Sequence, residues 1–315
     1  MKRGLLLLLC LVLFASAALA DAPYYQVNQI LTGKEGQNLT IRYHRNRTAP
    51  AGELLVMDAE GNELASVTVK ANQKDGSFVM PLDGRVTNGQ VVQICFRHGG
   101  ETELQGECLL AIDDGTPGVY KVETNEKKIA ITFDSANGIG RTANLLDLLD
   151  RYGIKCTFFL QGAYLKNHPQ MAKEISDRGH EMANHSMNHP DMRECDDAKI
   201  YREIKSCNDL IYEVTGQVVH FYRPPSGWFT YRDRAISRAL GCEMIQWTFD
   251  SLDGFEESTE ATVRNAMARG SEPGAIILMH LYGRYTLQVL EDYIPAMQAL
   301  GYEFVTVGEL LNGAE

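Results

Sequence analysis

The hydrophobic pattern of the chain changes near residue 113, and this change constrains the fold more than any other feature. Residues 22–112 alternate apolar and polar positions in short runs, as at 38–43, 53–57 and 91–95, and Asp-Gly or Asn-Gly turns separate such runs. Alternation of this kind places every second side chain on one face of a strand. The region 22–112 is therefore predicted to be a small all-β sandwich of immunoglobulin-like type.

After residue 121, short apolar runs alternate with helical patterns of ten or more residues. The helical pattern at 142–152 carries leucines at 145, 146, 148 and 149 on one face. Strands that alternate with helices are typical of parallel α/β folds, and seven alternations favour a barrel at 122–315, joined to the sandwich by a turn-rich linker at 113–121. The predicted strands lie near 129–133, 156–160, 180–184, 219–222, 243–247, 275–279 and 302–306.

The first twenty residues have the composition of a secretory signal peptide. Lys2 and Arg3 precede an apolar run at 4–14, and small residues at 18 and 20 offer a cleavage site before Asp21. The alternative, an uncleaved membrane anchor, is disfavoured because the run is short for a membrane span. No second run approaches that length, so we expect an exported protein without stable membrane insertion after cleavage.

The exported chain is acidic. Without Lys2 and Arg3 it has 28 basic and 41 acidic residues, which gives a formal charge of −13. A surface of this sign repels nucleic acid and anionic lipid, so neither is expected as a partner. A neutral or cationic substrate suits such a surface better.

Cysteine usage is compatible with disulfides, because an exported chain with six cysteines after the signal peptide has an even number. Cys95 and Cys108 flank a polar, Gly-containing hairpin and form the favoured pair. The cysteines at 195 and 207 form a second candidate pair. Cys156 and Cys242 lie in apolar, strand-like runs, where buried free thiols are expected.

Polar side chains follow five of the predicted strands at the point where each strand ends. Each has a structural explanation when taken alone: an aspartate caps a helix, a histidine lies on the surface or in the core, and Arg-Pro-Pro forms a rigid turn. Because the carboxyl ends of parallel barrel strands meet at one rim, their shared position favours a catalytic site. The clusters are Asp134, His185 with His189, Arg223-Pro-Pro-Ser226-Gly227, Asp250 with Asp253, and His280.

The order and spacing of these clusters resemble those of the polysaccharide deacetylases, the NodB-type carbohydrate esterase family four. The resemblance rests on Thr-Phe-Asp134, His185-Ser-x-x-His189, Arg223-x-Pro-x-Gly, Asp250-x-x-Asp253 and Leu278-x-His280, and it extends over about residues 125–310. It implies a distorted barrel with fewer than eight strands, in agreement with the seven predicted ones. It also implies hydrolysis of N-acetyl groups on a polysaccharide.

The resemblance implies an acid–base pair for amide hydrolysis. Asp134 would be the base that takes a proton from water, and His280 would be the acid that protonates the departing amine. Arg223 would hold Asp134 ionised and oriented. Asp253 would orient His280, with Asp250 as the weaker candidate for that role.

Two further positions are implied to bind the acetyl group. The backbone N–H of Ser226 would help to bind the developing oxyanion, and Leu278 would line the pocket for the acetyl methyl group. The family often has an aromatic residue at position 226, but a backbone donor does not depend on the side chain. The family also often has Trp where this chain has Gly254, so we expect a wider cleft there or a change in which sugar fits.

A divalent metal, zinc by resemblance, is the implied cofactor. His185 and His189 are the implied ligands, and on a helical turn residues four apart would face one direction. The third ligand of the family is an Asp, and here its position is occupied by Ser135, whose neutral hydroxyl is a poor substitute. Metal affinity is therefore expected to fall unless Asn137, Asn188 or a water completes the site.

Three functions are compatible with the sequence. The first is an exported deacetylase of an N-acetylated glycan, with peptidoglycan amino sugars first and an extracellular or cell-wall location. The second is an inactive carbohydrate-binding protein on the same scaffold, a reading that Ser135 favours and that the retained acid and base oppose. The third is a hydrolase of another linear amide.

Overall fold

The computed structural model describes residues 22–136 and 138–313. The predicted signal peptide at 1–20 and Asn137 lie outside the described residues. None of the helices within these two ranges combines the length and the hydropathy that a membrane span requires.

The N-terminal part of the described chain is built from two β-sheets. Its strands are β1 (Tyr25–Val27), β2 (Ile30–Lys34), β3 (Asn38–Arg45), β4 (Gly52–Met57), β5 (Glu63–Val69), β6 (Asp75–Pro81), β7 (Val91–His98) and β8 (Glu101–Asp113). Strands β1, β3 and β6 form an antiparallel sheet, and the other five follow the order β2-β8-β7-β4-β5, with β2 parallel to β8.

The alternating sequence pattern explains how these sheets pack. In β3, Leu39, Ile41 and Tyr43 are buried, while the residues between them are exposed. The buried residues of both sheets meet in one hydrophobic core. The prediction of an all-β fold for this region is confirmed, and its assignment to the immunoglobulin-like type stays a prediction.

The predicted disulfide between Cys95 and Cys108 is wrong, because both residues are buried free thiols. They lie on the neighbouring strands β7 and β8, but Cys108 is opposite Val92, three residues before Cys95. Three residues of a strand span about 10 Å. A disulfide requires Cα atoms within about 7 Å of each other.

The C-terminal part alternates strands and helices. Its strands are β9 (Lys128–Asp134), β10 (Thr157–Leu160), β11 (Glu181–Asn184), β12 (Phe221–Tyr222), β13 (Glu243–Met244), β14 (Phe249–Asp250), β15 (Ile276–His280) and β16 (Glu303–Phe304). Its helices are α1 (Thr142–Arg151), α2 (Gly162–Asn167), α3 (Pro169–Asp177), α4 (Asp197–Thr215), α5 (Tyr231–Ala239), α6 (Glu260–Arg269), α7 (Thr286–Ala299) and α8 (Val307–Asn312). As predicted, α1 buries the leucines at 145, 146, 148 and 149.

These strands confirm the predicted distorted barrel of about seven parallel strands. Seven of them follow the order β13-β12-β11-β10-β9-β15-β14, and β16 pairs with the first residues of β9. The single strand predicted at 243–247 is instead split into β13 and β14. Between them the backbone N–H of Ile245 bonds to Tyr222, and that of Thr248 bonds to Ile276, so the chain crosses from one end of the sheet to the other.

The other four cysteines of the described residues are also free thiols. Cys156 and Cys242 are buried, as expected. The second candidate disulfide, between Cys195 and Cys207, is wrong. Cys195 lies just before α4, whereas Cys207 lies ten residues beyond the first residue of that helix, which is about 15 Å along the axis.

The predicted linker at 113–121 is packed against the barrel. Val119 pairs with Ile245, and Lys121 pairs with Ala275. The division of the chain into domains at these residues stays a prediction. The contacts show, however, that this segment is held by backbone hydrogen bonds on the barrel side.

The two parts share a hydrophobic core and a buried ion pair. Ile30 of β2 and Ala111 of β8 belong to the same buried cluster as the barrel helices. Beside them, Arg234 of α5 donates two hydrogen bonds of 2.8 Å to the carboxylate of Asp113. Apolar contact and charge pairing thus fix the sandwich against the barrel.

We expect Arg234→Ala to lower the free energy of unfolding by about 3 kcal/mol, because it leaves the buried carboxylate of Asp113 without its cation. Urea unfolding at pH 7 measures the change. Arg85→Ala is the control, since Arg85 pairs with Asp83 on the surface and little change is expected there. Equal stability of the Arg234 variant and the wild type would contradict the assigned role of this pair.

Candidate active site

Asp134 is a buried carboxylate at the carboxyl end of β9. Arg223 donates from Nη1 to Oδ1 of Asp134 at 2.7 Å and to Oγ1 of Thr132 at 2.9 Å. Burial opposes the ionisation of Asp134, but the charge of Arg223, with smaller effects of two nearby histidines, outweighs it. The pKa of Asp134 therefore lies below its ordinary value. At neutral pH Asp134 is a carboxylate that can accept a proton.

Burial, hydrogen bonds and a ring contact fix the position of the Arg223 side chain. Its side chain is fully buried, and its Nη2 donates to the carbonyl of Gln246 at 3.0 Å. The guanidinium stacks 3.9 Å from the centroid of the Phe159 ring. Because Arg223 directly follows β12 in the sequence, the strand fixes its backbone and these contacts fix its head.

His280, at the end of β15, is paired with Asp253. Nδ1 of His280 lies 2.8 Å from Oδ1 of Asp253, and the backbone N–H of His280 donates to Oδ2 at 3.0 Å. A carboxylate only accepts, so Nδ1 carries a proton and Nε2 is left for the cleft. Burial lowers the pKa of His280, but the hydrogen bond and charge of Asp253 outweigh burial, and the net pKa is raised.

Asp134 and His280 are direct neighbours in the parallel sheet. The register of β9 and β15 places His280 opposite Asp134, and neighbouring strands lie about 4.8 Å apart. Their electrostatic surroundings act in opposite directions, since one favours a carboxylate and the other favours an imidazolium. The arrangement provides one proton acceptor and one proton donor at the same rim.

His185 and His189 are brought together, but not on a helical turn. Positive φ angles at Ser186 (66°) and His189 (56°) bend this loop instead, so the predicted helical geometry is wrong. The two ring centroids are 5.0 Å apart. Nδ1 of His185 donates to the carbonyl of Arg223 at 2.9 Å, and burial lowers the pKa of His185 to about 4. His185 is therefore neutral at pH 7, with Nε2 facing Oδ2 of Asp134 at 3.4 Å.

The residues that the structure describes do not complete a three-ligand metal site. Ser135 is buried, and its hydroxyl oxygen accepts a hydrogen bond of 2.9 Å from the backbone of Gln161. The Asn188 amide nitrogen is bound to Glu203 at 2.9 Å. Among the described residues, no group of three His, Cys, Asp or Glu side chains has the arrangement of metal ligands. Because a structural or catalytic zinc site takes at least three protein ligands, the donor set falls one short.

We expect Ser135→Asp to convert this position into a zinc ligand. The purified wild type should retain much less than one zinc ion per chain after dialysis, and the variant should approach about one. Elemental analysis measures both. Ser135→Asn is the control, because it has the size of Asp without the charge. Stoichiometric zinc in the wild type would contradict the conclusion that the donor set is incomplete.

The side chains of the predicted site lie around one cleft with a volume of about 700 Å³. Arg223 and Asp253 lie behind its wall and support it. The predicted site residues that line the cleft are Asp134, Ser135, His185, Asn188, His189, Ser226, Gly227, Asp250, Leu278 and His280. The sequence prediction that these distant stretches share one rim is matched by this arrangement, and the individual roles stay predictions.

The positions implied to bind the acetyl group lie on the cleft wall. Ser226 has a φ of 55° within the 3-10 turn Pro225–Gly227. Leu278 lies on β15, between β9 and β14. It is opposite Thr132 of β9 on one side and Asp250 of β14 on the other.

Gly254 lines the cleft, and the wider cleft expected at this position stays a prediction. The ring of His280 lies directly against it, and a Cβ at position 254 would be 2.7 Å from Nδ1 of His280. The next residue, Phe255, lines the cleft and is half exposed. The missing side chain therefore makes room for His280.

Several residues of the site were not predicted from the sequence. Gln161 directly follows β10, so the rule that located the other clusters would have found it. Trp247 was assigned to the interior of a strand that is in fact split. Phe255 and Tyr282 also line the cleft, and they follow predicted site residues closely in the sequence. Thr286, which bonds to Asp253, carried no signal.

Comparison with known proteins finds similarity to polysaccharide deacetylases. The sequence model of the family described as polysaccharide deacetylase matches residues 121–245. PdaA of Bacillus subtilis, named a peptidoglycan-N-acetylmuramic acid deacetylase, is 31% identical over 209 residues, which cover 65% of this chain and 80% of PdaA. PgdA of Listeria monocytogenes, named a peptidoglycan-N-acetylglucosamine deacetylase, is 31% identical over 194 residues, or 62% of this chain and 41% of PgdA.

Similar solved structures are described as members of carbohydrate esterase family 4. The structure of Bacillus subtilis PdaA, described as a family 4 carbohydrate esterase, has a TM-score of 0.59 and 31% identity, and covers 63% of this chain and 86% of its own. Wild-type BA3943 from Bacillus anthracis, described as a CE4 family pseudoenzyme, has a TM-score of 0.60 and 26% identity, with 70% and 83% covered. The chain belongs to the polysaccharide deacetylase family.

Proposed function

We propose that this protein removes N-acetyl groups from the amino sugars of peptidoglycan. The observation that carries the proposal is the direct opposition of Asp134 and His280 in one cleft, with surroundings that favour a base and an acid. Relatives named as peptidoglycan deacetylases support the choice of polymer. One is named for N-acetylmuramic acid and the other for N-acetylglucosamine, so the proposal covers both sugars.

The reaction needs one proton transfer from water to Asp134 and one from His280 to the leaving amine. A water molecule attacks the acetamide carbonyl while Asp134 takes one of its protons, and a tetrahedral intermediate forms. The carbon–nitrogen bond then breaks as the imidazolium of His280 gives its Nε2 proton to the amine. The products are acetate and a free amino sugar, and the proton on Asp134 returns to His280 or to solvent.

The neighbouring residues have supporting roles in this proposal. The backbone N–H of Ser226 binds the oxyanion, and Leu278 contacts the acetyl methyl group. Arg223 keeps Asp134 ionised. No step is assigned to a metal, because the donor set around His185 and His189 is incomplete.

The location proposed for this activity is the cell wall. The relatives named above act on peptidoglycan, and the predicted signal peptide would export the chain.

Two aromatic side chains at the cleft support binding of a sugar polymer. The rings of Phe255 and Tyr282, both about half exposed at the cleft, offer flat apolar surfaces for sugar rings.

A second function is favoured by Ser135 and by the similarity to a pseudoenzyme. In this alternative the cleft binds N-acetylated glycan without hydrolysing it. One experiment separates the two functions. Purified protein is incubated with peptidoglycan glycan strands and with N-acetylglucosamine oligomers, and acetate and bound glycan are both measured.

We expect acetate release from at least one of these glycans, with or without added zinc. Release that appears only after zinc is added to the wild type would contradict the metal-free scheme. Measurable glycan binding without any acetate, at every metal concentration, would favour the binding protein and would end the proposal of deacetylation.

A further inference from the structure

The carboxylate of Asp253 receives three hydrogen bonds in a buried pocket. Two come from His280, whose Nδ1 donates to Oδ1 and whose backbone N–H donates to Oδ2. The third comes from Oγ1 of Thr286, which donates to Oδ2 at 2.5 Å. Asp253 and Thr286 are both almost fully buried, so solvent does not replace any of these donors.

Thr286 differs from the other two donors in where it is anchored. It is the first residue of α7, which is fixed in the core by Val289, Leu290 and Ile294. Of the other two donors, Nδ1 belongs to the ring that Asp253 orients, and the backbone N–H is part of β15. Thr286 therefore ties the carboxylate to a second element, α7, that is independent of the strand carrying His280.

The local backbone is shaped to allow this contact. A Cβ at Gly283 would overlap both Oγ1 of Thr286 and the carboxylate of Asp253. The N–H of Gly283 bonds to the carbonyl of His280, so the turn after β15 is closed over the same group. A glycine at this position keeps the distance between Thr286 and Asp253 short.

The charges around His280 make the orientation of Asp253 important. Three carboxylates act on its imidazole, those of Asp253, Asp134 and Asp250, and the ring of Tyr282 lies 4.9 Å away. Of these, Asp253 supplies the hydrogen bond to Nδ1, which selects the ring nitrogen that remains for the cleft. A rotated Asp253 carboxylate would weaken that bond first.

We propose that Thr286 is a positioning residue, which fixes the carboxylate of Asp253 so that His280 presents Nε2 to the substrate. This inference rests on the proposed function, in which His280 is the acid. Thr286 does not touch the reacting atoms. It acts through Asp253 alone, and nothing in the sequence pattern pointed to it.

The test compares Thr286→Val, which keeps the shape and loses the hydroxyl, with Thr286→Ser, which keeps the hydroxyl. The pKa of His280 is measured in each full-length protein by NMR titration of the imidazole. In the Val variant we expect the pKa of His280 to fall by about one unit, because an Asp253 carboxylate without the bond from α7 can rotate and then holds the imidazolium less well. The Ser variant should titrate like the wild type.

Activity gives the second readout. With the best glycan substrate, Thr286→Val should lower kcat about tenfold with little change in KM, since the acid acts in the transition state. The alkaline limb of the pH–activity profile of Thr286→Val should move to lower pH. Thr286→Ser should restore both kcat and the position of this limb. Thr262→Val, at a threonine near the start of α6, is the matched control and should change neither.

The outcomes separate the two proposals. If the wild type releases no acetate, the function fails, but the NMR titration still decides the role of Thr286. An unchanged or raised pKa of His280 in the folded Val variant would overturn the positioning role. If that variant does not fold, Thr286→Ala supplies the same loss of the hydroxyl with a smaller side chain.

Discussion

Arg223→Met will destabilise the protein by about 3–5 kcal/mol and remove most of its activity, because it leaves a buried carboxylate without its cation. With Arg223 gone, the burial of Asp134 is no longer opposed by the nearest positive charge. The pKa of Asp134 then rises, so the carboxylate is lost over a wider range of acidic pH. The acid limb of the activity profile should move to higher pH.

Urea unfolding and the pH dependence of acetate release measure these two effects. Arg151→Met is the control for stability, since Arg151 pairs with Glu291 on the surface. Arg223→Lys should keep part of the activity, because it keeps the charge but loses the planar fork. In that fork Nη1 donates to Asp134 and Thr132, and Nη2 donates to the carbonyl of Gln246. An Arg223→Met protein with normal stability and an unmoved acid limb would contradict the assigned role of the guanidinium.

Asp253→Asn will lower kcat by about four orders of magnitude, by analogy with the loss of the orienting carboxylate in serine proteases. The reason lies in the two donors that face Oδ2 of Asp253, from His280 and Thr286. They require an oxygen there, so the amide nitrogen of the asparagine must face Nδ1 of His280. Nδ1 then becomes the acceptor, and the protonated imidazolium loses its partner.

The loss should appear in kcat rather than KM, and the folded structure should be retained. Asp250→Asn is the matched control. Asp250 lines the cleft, but its Oδ1 accepts from the backbone N–H of Leu252 rather than from His280. We expect its effect to stay below about tenfold. If the two asparagine variants lost activity equally, Asp253 would not be the partner that sets the protonation of His280.

The fold was largely predictable because the two parts of the sequence have different hydrophobic periods. Alternation in the first part and strand–helix repeats in the second determine which faces are buried, and both classes of fold were found. The failures concern long-range geometry. The run at 243–247 reads as one strand, but the chain changes partners after Met244, and this depends on where β12 and β15 lie.

The disulfide prediction failed for a related reason. A hairpin brings Cys95 and Cys108 onto neighbouring strands, but the register of β7 and β8 decides whether they are opposite each other. Register depends on the turn and on the bulge after Ile94. The spacing of the two cysteines in the sequence does not contain that information.

The candidate site was predictable at the strand ends and unpredictable in its supporting contacts. Asp134 and His280 could be placed together because both end parallel strands. The bond from Gln161 to Ser135 and the bond from Thr286 to Asp253 join residues that are distant in the sequence, and no local pattern marks these bonds. Such contacts follow from the packed barrel, not from the order of residues.

In the proposed reaction one carboxylate and one imidazole on adjacent strands hydrolyse an acetamide together. The most direct measurement is acetate release from peptidoglycan glycan strands by the wild type and by Asp134→Asn, with folding verified for both. We expect steady release by the wild type and a loss of at least about a thousandfold in the variant. Comparable release by the two proteins would contradict the proposed reaction.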